Sequence, residues 1–254
     1  QVPQGERIHP SMGSVMHGVL MELIGSAAAE QLHTMNLRPY SQYLFYDSAR
    51  QGVFWRLSAL NEYAVATVLD PAMNYSGSVI LEQKGYEIQI TERKVVAKSS
   101  FEQLTEEAFT DRQSIRAVQL KFITPAGFKS ENHYMLFPRM DLILHNLYSR
   151  WNVFAGQTMF EDPEAFKYML EHTVIEQYDL SMRKFYIGDR ARIPSFRGNI
   201  DINIYGYDTM KKLTGLLLRF SEFAGIGIKT ALGMGGSKVE FITEDKKARH
   251  AYKY

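Results

Sequence analysis

Segments of helical and strand periodicity alternate along the first half of the chain. Apolar residues recur every three or four positions over residues 12–24, which predicts a helix, and Gly25-Ser26 interrupts it before a shorter helical stretch over residues 27–32. Strands are predicted at residues 43–46 and 52–57, a helix at 60–69 and a strand at 86–97. With an extended start, these elements follow the order β-α-β-β-α-β.

The second half repeats this order. It contains a predicted strand at residues 117–124, helices at 138–154 and 163–172, and strands at 174–187 and 190–205 around a Gly188-Asp189 turn. We expect Asp208 to cap a further helix, Gly225 to end it, and residues 238–242 to form the last strand. Two copies of βαββαβ predict an α+β fold with two tandem ferredoxin-like domains, at residues 1–115 and 116–254.

The segment between the last helix and the last strand is rich in glycine. Lys229 and Thr230 lie within it, and the five glycines among its twelve residues are Gly225, Gly227, Gly233, Gly235 and Gly236. Glycine adopts positive φ and lets main-chain N–H groups converge, so such a loop is typical of an anion site. The loop therefore predicts phosphate binding. The alternative is a helix C-cap followed by a tight turn.

The spacing in this loop does not match the common nucleotide motifs. Lys229-Thr230 follows a glycine pair at the wrong distance for a Walker A sequence. The dinucleotide pattern G-x-G-x-x-G fails because Thr230 stands at the third glycine position. That pattern also needs a strand before the loop and a helix after it, and here the order is reversed. We therefore expect no cofactor.

The composition narrows the function classes. The 254 residues have a formal net charge of +1, so any basic surface must be local. Cysteine is absent, which excludes disulfides and thiolate metal sites and fits a cytoplasmic location. No apolar run approaches the roughly twenty residues of a membrane span, and no signal peptide is visible. Residues 246–254 are predicted to be a solvated tail.

Seven histidines are scattered through the chain, and none occurs in a metal-binding motif, so a metal site is not expected. His33 differs from the others because it lies where the first helical region ends, just before Arg38-Pro-Tyr-Ser41. Catalytic groups collect in loops at the ends of elements, which makes His33 a candidate. The alternative is a surface or capping histidine.

Four segments together resemble the CRISPR-associated endoribonucleases that cut repeat RNA into guides, which belong to the repeat-associated mysterious protein (RAMP) superfamily. The spacing of the four segments fits along nearly the whole chain and is most similar to the form that accompanies type III-A systems. The segments are His17-Gly-Val-Leu-Met-Glu22, Leu32-His33 with Arg38-Pro-Tyr-Ser41, Phe122-Ile-Thr-Pro-Ala-Gly-Phe-Lys129, and Phe196-Arg-Gly198 through the glycine loop to Gly236.

The resemblance implies two tandem ferredoxin-like folds and RNA cleavage without a metal. The ribose 2′-OH attacks the adjacent phosphate and leaves a 2′,3′-cyclic phosphate and a 5′-OH. Such a reaction needs proton transfer, which suits histidine, and stabilisation of phosphate charge, which suits a guanidinium. His33 matches the family's histidine, and we expect it to be the general acid or base. Arg38, where some relatives have a lysine, is expected to be the cationic stabiliser.

One position departs from the family pattern. Some relatives have a tyrosine on the first helix, and the matching position here is Met21, which cannot transfer a proton. His17 lies four residues earlier on the same helical face and could replace the tyrosine; the alternative is a partly buried histidine packed near Met16 and Met21. In an unbroken helix His17 and His33 would lie roughly 24 Å apart. Cooperation therefore requires the Gly25-Ser26 break to turn the chain back.

A basic patch is predicted on the central hairpin of the second domain. Phe185, Tyr186 and Phe196 are interleaved with its cations, as stacking platforms for bases would be. The alternative is a solvated edge hairpin protected by charge. Lys129, Lys229 and Thr230 are further candidates for phosphate contacts. The cations of the patch are Arg183, Lys184, Arg190, Arg192 and Arg197.

Three functions are compatible with these observations. We favour an endoribonuclease specific for CRISPR repeat RNA, acting as a monomer or weak homodimer and associating at most transiently with a type III effector complex. A non-catalytic RNA-binding subunit of such a complex would share the fold and glycine loop without needing His33. A metabolic enzyme on a ferredoxin-like scaffold has only the fold in its favour.

Overall fold

The structure is a computed structural model that describes residues 3–111, 113–188 and 191–243. The predicted tail at residues 246–254 lies outside the described residues. Alternating apolar faces produce helices packed on antiparallel sheets in both halves of the chain. The fold is therefore of the α+β class, as the periodicity predicts.

The first half begins with two helices and continues with two hairpins. Its helices are α1 (Gly13–Ile24), α2 (Ser26–Thr34), α3 (Glu62–Ala64) and α4 (Asp70–Asn74), with a π-helical turn at Val65–Leu69. Its strands are β1 (Tyr40–Asp47), β2 (Gly52–Ala59), β3 (Ser78–Leu81) and β4 (Tyr86–Gln89). β1 pairs with β2 and β3 with β4, both antiparallel, as two separate two-stranded sheets.

Two strand predictions in this half differ from the structure. The described part of the extended start, residues 3–9, forms no strand. The strand predicted at residues 86–97 ends at Gln89, because residues 90–100 run as irregular chain towards the next helix. In that irregular segment Val95 and Val96 are mostly exposed, so the alternation that predicted a longer strand does not bury an apolar face.

The second half contains one complete sheet. Its strands are β5 (Ile115–Ala126), β8 (Thr173–Ile187), β9 (Ala191–Ile204) and β10 (Ser237–Thr243), in the spatial order β10-β5-β9-β8, all antiparallel. A small hairpin of β6 (Phe128–Ser130) and β7 (His133–Met135) follows β5. The helices are α5 (Phe101–Thr110), α6 (Met140–Phe154), α7 (Pro163–Glu171) and α8 (Asp208–Ala224). This strand order and the βαββαβ sequence of elements are those of a ferredoxin-like domain.

The principal core lies between this sheet and its helices. Leu120, Ile200 and Ile202 from the sheet are fully buried with Leu147 of α6 and Leu217 of α8. Burial alternates along β5 because successive side chains of a strand point to opposite faces. One face of the sheet thus packs against the helices and the other is polar.

The start of α8 and the domain boundary differ in detail from the predictions. Asp208 is the first residue of α8 rather than its cap, since Tyr207 takes the N-cap position and makes no side-chain capping bond. The domain boundary near residue 115 stays a prediction, but Phe101 and Leu104 of α5 pack into the core of the second half. α5 therefore precedes the predicted boundary in sequence while contributing to the core beyond it.

Among the described residues, no helix is both long and apolar enough to cross a membrane.

Candidate active site

The break between α1 and α2 brings two histidines together. Gly25 separates the helices with φ +81° and ψ 159°, a combination that essentially only glycine adopts. The chain reverses there, and the ring centroids of His17 and His33 lie 6.1 Å apart. An unbroken helix would separate them by roughly 24 Å. The helix interruption predicted at Gly25-Ser26 is therefore confirmed, and it turns the chain back as cooperation of the two histidines would require. The catalytic role of the pair stays a prediction.

The two rings occupy different environments. His33 lies in the last turn of α2 and is exposed. His17 is half-buried on α1, where its Nδ1 is 3.5 Å from the Tyr40 hydroxyl. Burial is the largest cause that lowers the pKa of His17 to about 4, followed by the positive charge of Arg38; a hydrogen bond from the ring to the Ala231 carbonyl acts in the opposite direction. His17 is therefore neutral at neutral pH.

Arg38 and Tyr40 follow α2 and border this pair. Arg38 is half-buried, and its charge lowers the pKa of both His17 and Tyr40. Burial outweighs that charge at Tyr40 and raises the pKa of its hydroxyl to about 12. Tyr40 is fully buried and remains a neutral hydroxyl beside His17. Met21, at the position that matches the tyrosine of some relatives, packs against the apolar cluster around Leu20 and Leu32.

The glycine loop reaches the histidine pair from the second half of the chain. Ala231 of this loop packs in the same apolar cluster as Leu20, Leu32 and Tyr40, and its carbonyl accepts the bond from His17. Lys229 is exposed, adopts a left-handed conformation with φ +57°, and its charge also lowers the pKa of His17. The sequence-predicted groups His17, His33, Arg38 and Lys229 thus come together.

The glycines of the loop have a different role from that expected. All five are buried, and the main-chain N–H group of each already donates to a protein acceptor. The acceptors are the Ser221 carbonyl for Gly225, Asn146 Oδ1 for Gly227, the Thr230 carbonyl for Gly233, the Pro125 carbonyl for Gly235 and Thr124 Oγ1 for Gly236. A concave anion site built from these amides is therefore not supported. The glycines instead let the loop pack closely on β5 and α6.

Thr230 is also turned inward. It is 4% exposed, its hydroxyl accepts a hydrogen bond of 2.8 Å from Arg150, and its methyl group fills the space beside Gly225. This burial argues against the predicted phosphate contact of Thr230. Lys229 is the residue of this Lys-Thr pair that faces solvent.

A close backbone contact holds α1 against the loop. A Cβ atom built on Gly233 would lie 2.7 Å from the Cα of Gly13, the first residue of α1, and one built on Gly13 would lie 2.8 Å from the Leu232 carbonyl oxygen. Gln42 of β1 fixes this contact, because its side-chain amide donates to the carbonyls of both Gly13 and Ala231. Neither glycine can gain a side chain without separating the two segments.

The basic hairpin of β8 and β9 lies next to α1. The Ser14 hydroxyl donates to the Tyr186 carbonyl over 3.0 Å. Four of its cations are exposed, whereas Arg190 lies outside the described residues; the four are Arg183, Lys184, Arg192 and Arg197. Lys129 on β6 is exposed as well.

Two of the three aromatic rings expected to stack with bases are in the core. Phe185 is 2% and Phe196 is 1% exposed, because their strand positions face inward. Tyr186 is the exception. It is 44% exposed, and the Arg192 guanidinium lies 5.6 Å from its ring centroid. The exposed large side chains Tyr178 and Met182 lie on the same side of β8 as Tyr186, at even-numbered positions.

Comparison with known proteins finds similar sequences that share one description. The family model described as CRISPR-associated endoribonuclease Cas6 matches residues 120–237. A Streptococcus thermophilus protein named CRISPR-associated endoribonuclease Cas6 is 29% identical over 238 residues, covering 91% of this chain and 93% of its own. A Mycobacterium tuberculosis protein of the same name is 28% identical over 240 residues, covering 93% of this chain and 74% of its own. The chain is similar to Cas6 endoribonucleases along nearly its whole length.

The fold is that of solved Cas6 proteins. A Cas6 product complex superposes with a TM-score of 0.75 at 20% identity, covering 94% of this chain and 96% of that one. Cas6 structures have two ferredoxin-like domains, so the predicted α+β fold class is confirmed. In the present chain the second half has the complete four-stranded sheet, and the first half has its strands in two separate hairpins.

The sequence analysis missed three residues at this site. Tyr40 stands in the quoted Arg38-Pro-Tyr-Ser41 segment, and its place beside the predicted catalytic residues was the available signal. Gln42 gave no signal, because an amide within a strand is ordinary. Arg150 gave a clear one: it falls three residues after Leu147, on the apolar stripe of α6, where a charge is unexpected.

Proposed function

We propose that the chain is a metal-independent endoribonuclease that cleaves CRISPR repeat RNA. The observation that supports this best is the pairing of the His17 and His33 rings at 6.1 Å beside the charges of Arg38 and Lys229. Proton transfer and stabilisation of phosphate charge are the two forms of assistance that attack by a ribose 2′-OH requires. Both kinds of group are present at one place on the surface.

In the proposed reaction, neutral His17 accepts the proton of the 2′-OH while its oxygen forms a bond to the adjacent phosphorus. The bond from phosphorus to the 5′ oxygen breaks, and protonated His33 gives that oxygen a proton. The products are a 2′,3′-cyclic phosphate and a 5′-OH end. The lowered pKa of His17 favours the neutral form needed before attack, and an approaching phosphate anion raises that pKa as the proton arrives. Each ring must come within about 2.6–3.2 Å of its oxygen.

Arg38 is proposed to stabilise the charge that develops on the non-bridging oxygens. Its guanidinium offers planar donors to two oxygens at once, and its partial burial strengthens the interaction. Tyr40 is proposed to orient His17 through its neutral hydroxyl, which lies 3.5 Å from the ring nitrogen. Tyr40 thereby supplies a hydroxyl beside His17, which the Met21 side chain cannot do.

The second half is proposed to hold the RNA. Lys229 in the glycine loop and Lys129 on β6 are exposed cations. The β8–β9 hairpin adds an exposed basic strip, with Tyr186 as a stacking surface. RNA contact by Arg190 stays a prediction, whereas contact through the main-chain N–H groups of the five loop glycines is not proposed, because each already donates within the protein. The weak dimer or monomer, the transient association with a type III effector complex, the type III-A subtype and the cytoplasmic location also stay predictions.

The deciding experiment is incubation of the protein with repeat RNA in EDTA. We expect one cut, a 2′,3′-cyclic phosphate on the upstream fragment, and no cut when the nucleotide before the scissile bond is 2′-deoxy. Tight binding without cleavage would instead assign the chain to the non-catalytic RNA-binding subunits. Cleavage that needs an added divalent ion would contradict the metal-independent chemistry. If the protein neither bound nor cleaved repeat RNA, the proposal would be wrong.

A further inference from the structure

Arg150 is a buried cation without a carboxylate partner in the described part of the chain. It lies on α6, is 4% exposed, and packs beside the buried residues Leu147 and Trp151. Burial lowers the pKa of its guanidinium to about 10, so the group remains charged at neutral pH. Buried charges are normally paired because desolvating them is costly. The position of Arg150 therefore calls for an explanation.

Its hydrogen bonds connect the two halves of the site. One terminal nitrogen donates to Thr230 Oγ1 over 2.8 Å, and the other lies 3.5 Å from the main-chain carbonyl oxygen of Arg38. Nε is buried and has no hydrogen-bond partner. Thr230 immediately follows Lys229, so a single side chain contacts both the segment with Arg38 and the segment with Lys229.

α6 holds the glycine loop at a second point as well. Asn146, one helical turn before Arg150, accepts the main-chain N–H of Gly227 over 2.8 Å. Residues four apart lie on the same face of a helix, so Asn146 and Arg150 form one polar stripe facing the loop. The Asn146 hydrogen bond is to the loop, whereas Arg150 bonds to the loop and also reaches the Arg38 segment. Asn146 can therefore anchor the loop, whereas Arg150 can also align the loop with the Arg38 segment.

We propose that Arg150 is a positioning residue, which holds Arg38 and Lys229 in fixed places relative to the His17–His33 pair by bridging the Arg38 carbonyl and the Thr230 hydroxyl. A guanidinium is suited to this because its planar fork presents donors in two directions at once. The ammonium group of lysine is a compact point charge and cannot reproduce that geometry. The proposal rests on the proposed function only where it concerns cleavage.

The first test needs no RNA and no activity. His17 faces Arg38, His33 and Lys229, whose charges all lower its pKa, and the neutral Tyr40 hydroxyl. If Arg150 holds Arg38 beside His17, both Arg150→Lys and Arg150→Met should raise the pKa of His17 in NMR titrations of the free protein, towards the value in Arg38→Ala. Because Arg150→Lys keeps the positive charge, a shift there reports geometry. An unchanged pKa in both variants overturns the proposal.

The second test measures single-turnover cleavage. A displacement of about 1 Å can cost on the order of 10²-fold in rate, so we expect Arg150→Met to lose 10- to 100-fold while its affinity for 2′-deoxy repeat RNA changes less than about threefold. In an Arg38→Ala background the same substitution should cost less than about threefold, since no Arg38 side chain remains to be placed. Equal losses in both backgrounds would indicate a general structural effect and contradict the proposal.

Controls separate the other outcomes. Arg139→Met removes an exposed arginine from the start of α6, where it pairs with Asp141, and should leave the rate and the His17 pKa unchanged. If Arg150→Met does not fold by thermal melting, Thr230→Val removes the hydroxyl at constant shape and Thr230→Ser keeps it. A loss of about tenfold in cleavage rate in Thr230→Val, with the rate retained in Thr230→Ser, would support the proposal. Equal cleavage rates in the two variants would overturn it. A parent protein that cuts nothing contradicts the proposed function alone, because the His17 titration still tests Arg150.

Discussion

The two halves of the chain differ in regularity and in what they contribute to the site. The second half has a complete antiparallel sheet in the order β10-β5-β9-β8 and one large core. The first half has two separate hairpins and two small apolar clusters. Yet the groups suited to proton transfer, His17 and His33, belong to the less regular half. The more regular half contributes the loop, the basic hairpin and the buried Arg150.

This division follows from how each half is supported. The histidine pair depends on a turn at Gly25 and on helix ends, and the cluster beneath it includes Ala231 from the glycine loop. Part of the apolar core of the first half is therefore formed by a residue of the second half. β5 and α6 in turn fix the loop through hydrogen bonds. We expect substitutions of the first-half groups His17, His33 and Arg38 to change the rate of cleavage, and substitutions of the exposed cations in the second half to change RNA binding; the buried Arg150 is the exception, since it is proposed to act on the rate.

The largest effect is expected from His33→Ala. Loss of a general acid or base reduces rates by roughly 10²–10⁴-fold, so single-turnover cleavage should fall by that factor while affinity for 2′-deoxy repeat RNA is retained. His145→Ala, an exposed histidine on α6, is the matched control. If His33→Ala kept most of the rate with an intact fold, the assignment of chemistry to the first half would be wrong.

The pH dependence of stability tests the environment of His17. Its folded pKa of about 4 lies below the ordinary 6.5, so between these values the unfolded chain binds more protons than the folded one. Stability should therefore be full above pH 6.5 and fall as the pH is lowered towards 4, by about 3 kcal/mol in total. Urea unfolding at pH 7 and pH 4.5 measures this loss. In His17→Gln, most of this loss of unfolding free energy between pH 7 and pH 4.5 should disappear. A pH dependence that is the same in the variant and the parent would contradict the burial of His17.

Gly25→Ala tests the turn that pairs the histidines. A Cβ atom added at Gly25 or at Gly18 would meet open space, with no neighbouring group within 4 Å, so the two positions differ in backbone conformation alone. At Gly25 the strained φ and ψ should cost about 1–3 kcal/mol and lower the cleavage rate. Gly18→Ala, within α1, should be neutral or slightly stabilising. Equal stability and equal rates in the two variants would show that the turn does not constrain the site.

Lys229→Ala sharpens the assignment of RNA binding to the second half. Removal of one phosphate contact should weaken binding uniformly across RNA sequences and lower the slope of log affinity against log salt by about one unit. Lys167→Ala, an exposed lysine on α7, is the control and should leave the slope unchanged. A slope that is the same in both variants would remove Lys229 from the RNA contacts.

Periodicity was enough to predict most elements of the second half. The helix over residues 138–154 and the strands around Gly188 were found because long amphipathic segments must bury one face. It failed at residues 90–97, where alternation occurs without burial, and it did not detect the short β6–β7 hairpin, whose three-residue strands are too brief to show a period.

The site was predictable to a different extent. The family resemblance indicated His33, whereas cooperation with His17 was predicted only on the condition that the Gly25-Ser26 break turns the chain back. The glycine loop was misjudged because glycine count signals both anion binding and close packing, and only the acceptors at Ser221, Asn146 and Pro125 distinguish them. Phe185 and Phe196 were assigned to stacking because strand composition does not reveal which face is covered.

The contact between Gly13 and Gly233 has a consequence for chimeras made from Cas6 relatives. A recombinant that joins the first half of one protein to the second half of another inherits these positions from different parents. A side chain larger than hydrogen at either would push α1 off the loop and move His17 away from Ala231. Crossover designs should therefore treat residues 13 and 233 as one unit, transferred together or not at all.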